Sequence, residues 1–84
     1  MMSCDQHDYV EIACMYHYSV KLTLKSGAEI EGRALDTQRN EQQQECIKMQ
    51  FENSTSLVLL DSIIQMEAQI DNPHFHVIRF HSVK

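Results

Sequence analysis

VKLTLKSGAEIEGRALD, residues 20–36, decides the fold. Val20, Leu22 and Leu24 alternate with Lys21, Thr23 and Lys25, the period of a half-buried strand, and Ser26-Gly27 then supplies a turn. A second alternating run follows: Ala28, Ile30, Gly32 and Ala34 face one way, Glu29, Glu31 and Arg33 the other. The stretch predicts a β-hairpin. Gly32 inside its second strand predicts a bend or a close approach of backbone, as strand glycines do where a sheet curls.

Upstream, the period changes to that of a helix over residues 5–17, where Val10, Ala13, Cys14 and His17 fall on one stripe. Asp5, Asp8 and Glu11 recur every third residue on the opposite side, and the first two sit where the positive end of the helix dipole favours carboxylates. The segment predicts an amphipathic helix with an acidic outer stripe.

Downstream, DTQRNEQQQE, residues 36–45, holds no apolar side chain and reads as a solvated loop or as strand ends projecting beyond the core. Ile47, Met49 and Phe51 alternate as a third strand, and Asn53-Ser54 turns the chain into SLVLLDSIIQMEAQI, residues 56–70. Its consecutive Leu57, Val58, Leu59 and Leu60 predict a strand buried on both faces. Asp71-Asn72-Pro73 marks a turn, and His76, Ile78 and Phe80 predict the last strand. One helix followed by about five short strands predicts an α+β, mainly β, domain whose strongly bent sheet closes into a small barrel.

At 84 residues the chain holds one domain, residues 1–84, and 43% hydrophobic residues with two Gly and one Pro exclude the composition of a disordered protein. Twelve acids against seven bases give a formal charge of -5, a field that repels phosphate backbones and favours a basic partner. No apolar run reaches bilayer length and no signal peptide opens the chain, so the expected location is the cytoplasm. The three cysteines, Cys4, Cys14 and Cys46, read there as reduced thiols.

The spacing Cys4-x2-His7 and Cys14-x2-His17 imitates two pairs of zinc ligands. On one unbroken helix, however, Cys4 and Cys14 stand about 15 Å apart along the axis, too far for one metal ion or one disulfide, and VEIA contains no helix breaker. His74, His76 and His81 read as polar positions around a terminal strand. No phosphate loop, HExxH or nucleophile elbow is present, so neither catalysis, nor a metal, nor a cofactor is expected. Tyr9, Tyr16 and Tyr18 with Phe51 and Phe80 could stack on single-stranded nucleic acid, but the basic groove that would accompany them is missing.

The helix segment CDQHDYVEIACMYH, residues 4–17, together with the hairpin resembles the Rof-type Rho-binding antiterminators of bacteria, small acidic inhibitors of the transcription termination factor Rho. The most specific matches are Cys4-Asp5, Glu11-Ile12-Ala13-Cys14, and Gly27, Gly32 and Asp36 of the hairpin. The resemblance implies an Sm-like fold, a helix packed on a five-stranded barrel. It also implies binding to the Rho hexamer at or near its primary RNA-binding site, so that RNA cannot load, by a protein that is a monomer or weak dimer when free. It points to Asp5, Asp8 and Glu11 as ionic contacts. Glu29, Glu31 and Asp36 are candidates of lower rank, chosen for exposure on the predicted hairpin, and because one exposed ion pair contributes only about 0 to 1 kcal/mol, apolar contacts from Tyr9 or Met15 are expected beside the acids. The segment KSGAEIEGRALD is also similar to the first motif of Sm and Hfq-type RNA-binding proteins, and an RNA-binding module of that kind is the alternative; the second Sm motif is not evident in SLVLLDSIIQMEA.

Overall fold

A computed structural model describes residues 4–80, with side chains from His7 onward. Helix α1 spans Cys4–Met15 and is followed by β1 (Ser19–Leu24), β2 (Glu29–Arg39), β3 (Glu45–Gln50), β4 (Thr55–Leu59), a 3-10 turn (Leu60–Ser62), β5 (Ile63–Ala68) and β6 (Val77–Arg79). The strands form one open antiparallel sheet in the order β4-β3-β2-β1-β5-β6. The architecture is therefore α+β, as the periodicity predicts, with six strands in place of five.

The additional strand has a local cause. Residues 56–70 read as one strand, but Leu60-Asp61-Ser62 closes a 3-10 turn in which Ser62 Oγ donates to the Leu59 carbonyl at 2.7 Å. The break sends β4 to one edge beside β3 and β5 to the far side of β1. The expectation of a strand buried on both faces fails here as well. Thr55, Ser56 and Leu57 of β4 are exposed and Val58 and Leu59 only half-buried, with Leu57 37% exposed.

The helix ends two residues earlier than its apolar stripe suggests. The His17 amide donates to the Cys14 carbonyl and the Tyr18 amide to the Ala13 carbonyl, with His17 at φ 54°. This is the paired-bond cap that normally takes glycine in the left-handed position, and it turns His17 outward. Val10, Ala13 and Cys14 do face inward, where they join Val20 and Leu22 of β1, Ala34 of β2, Ile47 and Met49 of β3, and Met66 of β5 in a single core.

In the hairpin, Gly27 takes φ 91° in the turn, and Val20 stands opposite Gly32 while Leu22 stands opposite Ile30. A Cβ on Gly32 would lie 2.7 Å from the Gln50 carbonyl oxygen and 3.0 Å from the Phe51 ring, so the close approach expected there is real. Leu35 is an extra residue between the pairs Ala34/Met49 and Asp36/Lys48, a bulge that bends β2. Beyond it β2 continues through Arg39, so the polar stretch 36–45 is partly strand and partly the loop that Asn40 caps by accepting from the amides of Gln42 and Gln44.

Candidate docking surface

Because Val10, Ala13 and Cys14 turn inward, the helix presents Asp8, Glu11 and Met15 to solvent, and Met15 is 68% exposed. The helical positions of these three residues place them on one stripe. The Asp5 side chain belongs to the expected stripe but lies outside the described residues. Tyr9 is half-buried and packs edge-on against Phe75 at 5.8 Å.

A groove of about 450 Å³ runs between the helix and β2, lined by Glu11, Cys14, Met15, His17, Leu35, Asp36 and Thr37. It brings Glu11 and Met15 together with Asp36, which the bulge at Leu35 leaves exposed beyond the bend. The floor is the Cys14 thiol, whose pKa is pushed up to about 12 by burial and then by the charges of Asp36 and Glu11. A thiol held protonated in this way is a poor nucleophile. The groove can bind, and it offers no activated group.

Glu29 and Glu31 occupy a different part of β2. Glu31 stands opposite Lys21 in the hairpin, and Lys21 Nζ reaches Glu29 at 3.7 Å and Glu67 at 3.6 Å. Glu31 also borders a shallow depression of about 500 Å³ that contains Gly32, Arg33, Phe51 and Glu52. Asp36 is five residues further along the strand, about 16 Å at the usual rise. The structure thus unites Asp8, Glu11, Met15 and Asp36 and separates Glu29 and Glu31 from them.

His7 stands at the rim of the helix stripe, with Nδ1 3.4 Å from Glu11 and Nε2 2.9 Å from Glu45 at the start of β3. The helix is unbroken from Cys4 to Met15, which keeps the two Cys/His pairs apart as its geometry requires. Among the described residues no group of three or more His, Cys, Asp and Glu is arranged to hold a metal ion.

Sequence reasoning did not connect His74 with the tyrosines. His74 stacks on Tyr16 with centroids 5.2 Å apart, Tyr16 stacks on Tyr18 at 5.5 Å, and Phe75 supports Tyr18 at 6.1 Å. Phe51 and Phe80 take no part in this cluster: Phe51 lies over Gly32 and Phe80 is in the core. His74 and His76 precede β6, so they are not strand residues, and His81 lies outside the described residues. No sequence signal joins His74 to Tyr16, because the Asn72 turn alone sets its position.

One helix laid on an antiparallel sheet, with carboxylates gathered along the helix and beside its groove and no reactive constellation among the described residues, defines a small acidic α+β protein. Residues 1–80 match the family of modulators of Rho-dependent transcription termination (ROF), and the chain belongs to that family. The structure of YaeO bound to magnesium from Vibrio cholerae O395 is similar at 51% identity and a TM-score of 0.86, covering 90% of this chain and 99% of that one. No curated protein matches the chain. Among the described residues no helix is long and apolar enough to cross a membrane.

Proposed function

We propose that this protein inhibits Rho-dependent termination without catalysis, by docking its acidic helix face on Rho at or near the primary RNA-binding site so that RNA cannot load. Carboxylates there take the places of phosphates against lysines and arginines, which form stronger, charge-assisted hydrogen bonds with such acceptors. The observation that carries the reading is the exposed run Asp8, Glu11 and Met15 that continues across the groove to Asp36. Asp5 extends it toward the start of the helix; Glu29 and Glu31, gathered around Lys21, are contacts of lower rank, and Tyr9 contributes the exposed part of its ring. The protein acts in the cytoplasm on the Rho hexamer as a single domain, free as a monomer or weak dimer, with no cofactor. The bulge at Leu35 and the close packing of Phe51 on Gly32 support an Sm-like curvature of the sheet.

The test is the anisotropy of a labelled C-rich oligonucleotide on purified Rho, titrated with this protein at low and at moderate salt. Displacement that weakens with salt, with no binding of the oligonucleotide by this protein alone, is the expected result. An oligonucleotide that stays on Rho sinks the reading. One that moves onto this protein supports the Sm- and Hfq-like RNA-binding alternative, which has the Tyr16 stack as its one structural support and a charge of -5 against it.

A further inference from the structure

We infer that the outer face of the Tyr16 ring is a stacking site for an arginine guanidinium of the protein's basic partner. The inference rests on the docking reading above and extends that surface past the end of the helix to residues the acidic stripe does not include.

Tyr16 has one face covered and one free. Its ring is inclined by only 17° to Tyr18 and 21° to His74, so both neighbours stack on it. A ring stacked closely on both faces would keep little more than its rim and hydroxyl in water, whereas Tyr16 is 53% exposed. Tyr18 and His74, 6.5 Å apart and each offset from the ring they stack on, cover only part of it and leave a face open to solvent.

The stack is also held in place from both sides. The Tyr16 amide donates to the Ile12 carbonyl, and the capping bonds of His17 and Tyr18 fix the chain around it. Across the stack, the amides of His74 and Phe75 both donate to Asn72 Oδ1, at 2.9 Å and 3.0 Å. A ring already ordered in the free protein loses little entropy when a ligand settles on it.

Charge selects the ligand. The open face belongs to a chain of formal charge -5, and it begins one residue beyond Met15, where the stripe of Asp8 and Glu11 ends. A phosphate-bearing ligand is repelled from such a surface, whereas a cation is drawn to the negative face of the ring. Between the two basic side chains, the planar and weakly hydrated guanidinium of arginine is the one that stacks. An arginine reaching past Met15 can lie flat on Tyr16 while neighbouring bases of the same partner meet Asp8 and Glu11.

The experiment compares Tyr16→Phe, Tyr16→Leu and Tyr16→Lys for affinity to purified Rho, with thermal melting of each and with labelled oligonucleotide added to each protein alone. Phenylalanine keeps the face and should bind within about twofold of the parent; leucine removes it and should bind roughly three- to tenfold more weakly, with lysine weaker still. All three substitutions fall at one solvent-facing position, so little change in melting is expected, and the lysine variant tests the site by repulsion even if leucine disturbs the packing on Tyr18. If the leucine and lysine variants bind as the parent does while Asp8→Lys with Glu11→Lys loses binding, the Tyr16 site is refuted and the docking reading stands. If the double charge reversal is also without effect, the docking reading fails and takes this site with it. Oligonucleotide binding by the parent alone that Tyr16→Leu abolishes would overturn the assignment in favour of a base-stacking platform.

Discussion

His7 Nε2 lies 2.9 Å from Glu45 Oε2, a contact that ties the first turn of the helix to the start of β3 while Nδ1 of the same ring faces Glu11 at 3.4 Å. A ring protonated on both nitrogens donates to both carboxylates, and a neutral ring to only one. Both acids are more than half exposed, so the pair of contacts contributes no more than an ordinary surface ion pair, about 0 to 1 kcal/mol. His7→Ala should therefore lower the urea midpoint only slightly, and moderate salt should reduce the difference from the parent. A loss of several kcal/mol would mean that His7 has a packing role these contacts do not describe.

Gly32 is the position at which the hairpin tolerates no side chain. A methyl group there would meet the Gln50 carbonyl oxygen at 2.7 Å, and that oxygen belongs to backbone that cannot swing aside. Gly32→Ala should destabilise the fold by about 1 to 3 kcal/mol, the usual cost of overfilling a packed site. Equilibrium urea unfolding gives the figure, and an unchanged denaturant slope would show that the fold itself is retained.

The hairpin and the helix were legible because each carries its own period: Val20, Leu22 and Leu24 at two, Val10, Ala13 and Cys14 at the helical spacing. The break in residues 56–70 was not, since an apolar run without Gly or Pro gives no warning of a 3-10 turn. Its one sign was Asp61-Ser62 between LVLL and II, and a pair of polar residues interrupting two apolar runs was the clue to weigh. Polar composition left the stretch 36–45 open between a loop and strand ends projecting past the core, and it holds both: β2 runs on to Arg39, where it needs no apolar face. For the surface, Asp8, Glu11 and Met15 follow from helical spacing alone. Their meeting with Asp36 depends on how far the bulge at Leu35 turns β2, and the stack of Tyr16 on His74 depends on a turn built around Asn72; neither is encoded in a local pattern.

Cys14 gives the protein a sensitivity to alkaline pH. Its thiol has an ordinary value of 9.0 and is held at about 12 in the fold, chiefly by burial and further by Asp36 and Glu11. Between these values the unfolded chain loses the proton that the folded chain keeps, so the native state binds more protons and stability falls as pH rises. The contribution is fully present below pH 9.0 and is lost on the way to about 12. Urea midpoints taken at rising pH for the parent and for Cys14→Ala isolate it, because tyrosines and lysines titrate in both proteins. The parent should show the steeper decline, by up to about 1.4 kcal/mol per pH unit. At neutral pH the same thiol should react with an alkylating reagent far more slowly than an ordinary exposed cysteine.

The division of the acids into two groups can be tested on its own. Glu11 and Asp36 flank one groove; Asp36 stands opposite Lys48 on β3, and Glu11 lies on the helix beside His7. Glu29 already has Lys21 at 3.7 Å, and Glu31 stands opposite the same lysine. Carboxylates that are neutralised within the chain have less to offer a basic partner, so Glu11→Lys with Asp36→Lys should weaken binding to Rho more than Glu29→Lys with Glu31→Lys. Both pairs change the net charge by the same amount, which cancels the long-range effect and leaves position as the variable. Affinities measured at one salt concentration decide it: equal losses would mean that overall charge, and no particular face, governs the association, while a greater loss from the Glu29 and Glu31 pair would move the docking surface to the outer face of the hairpin.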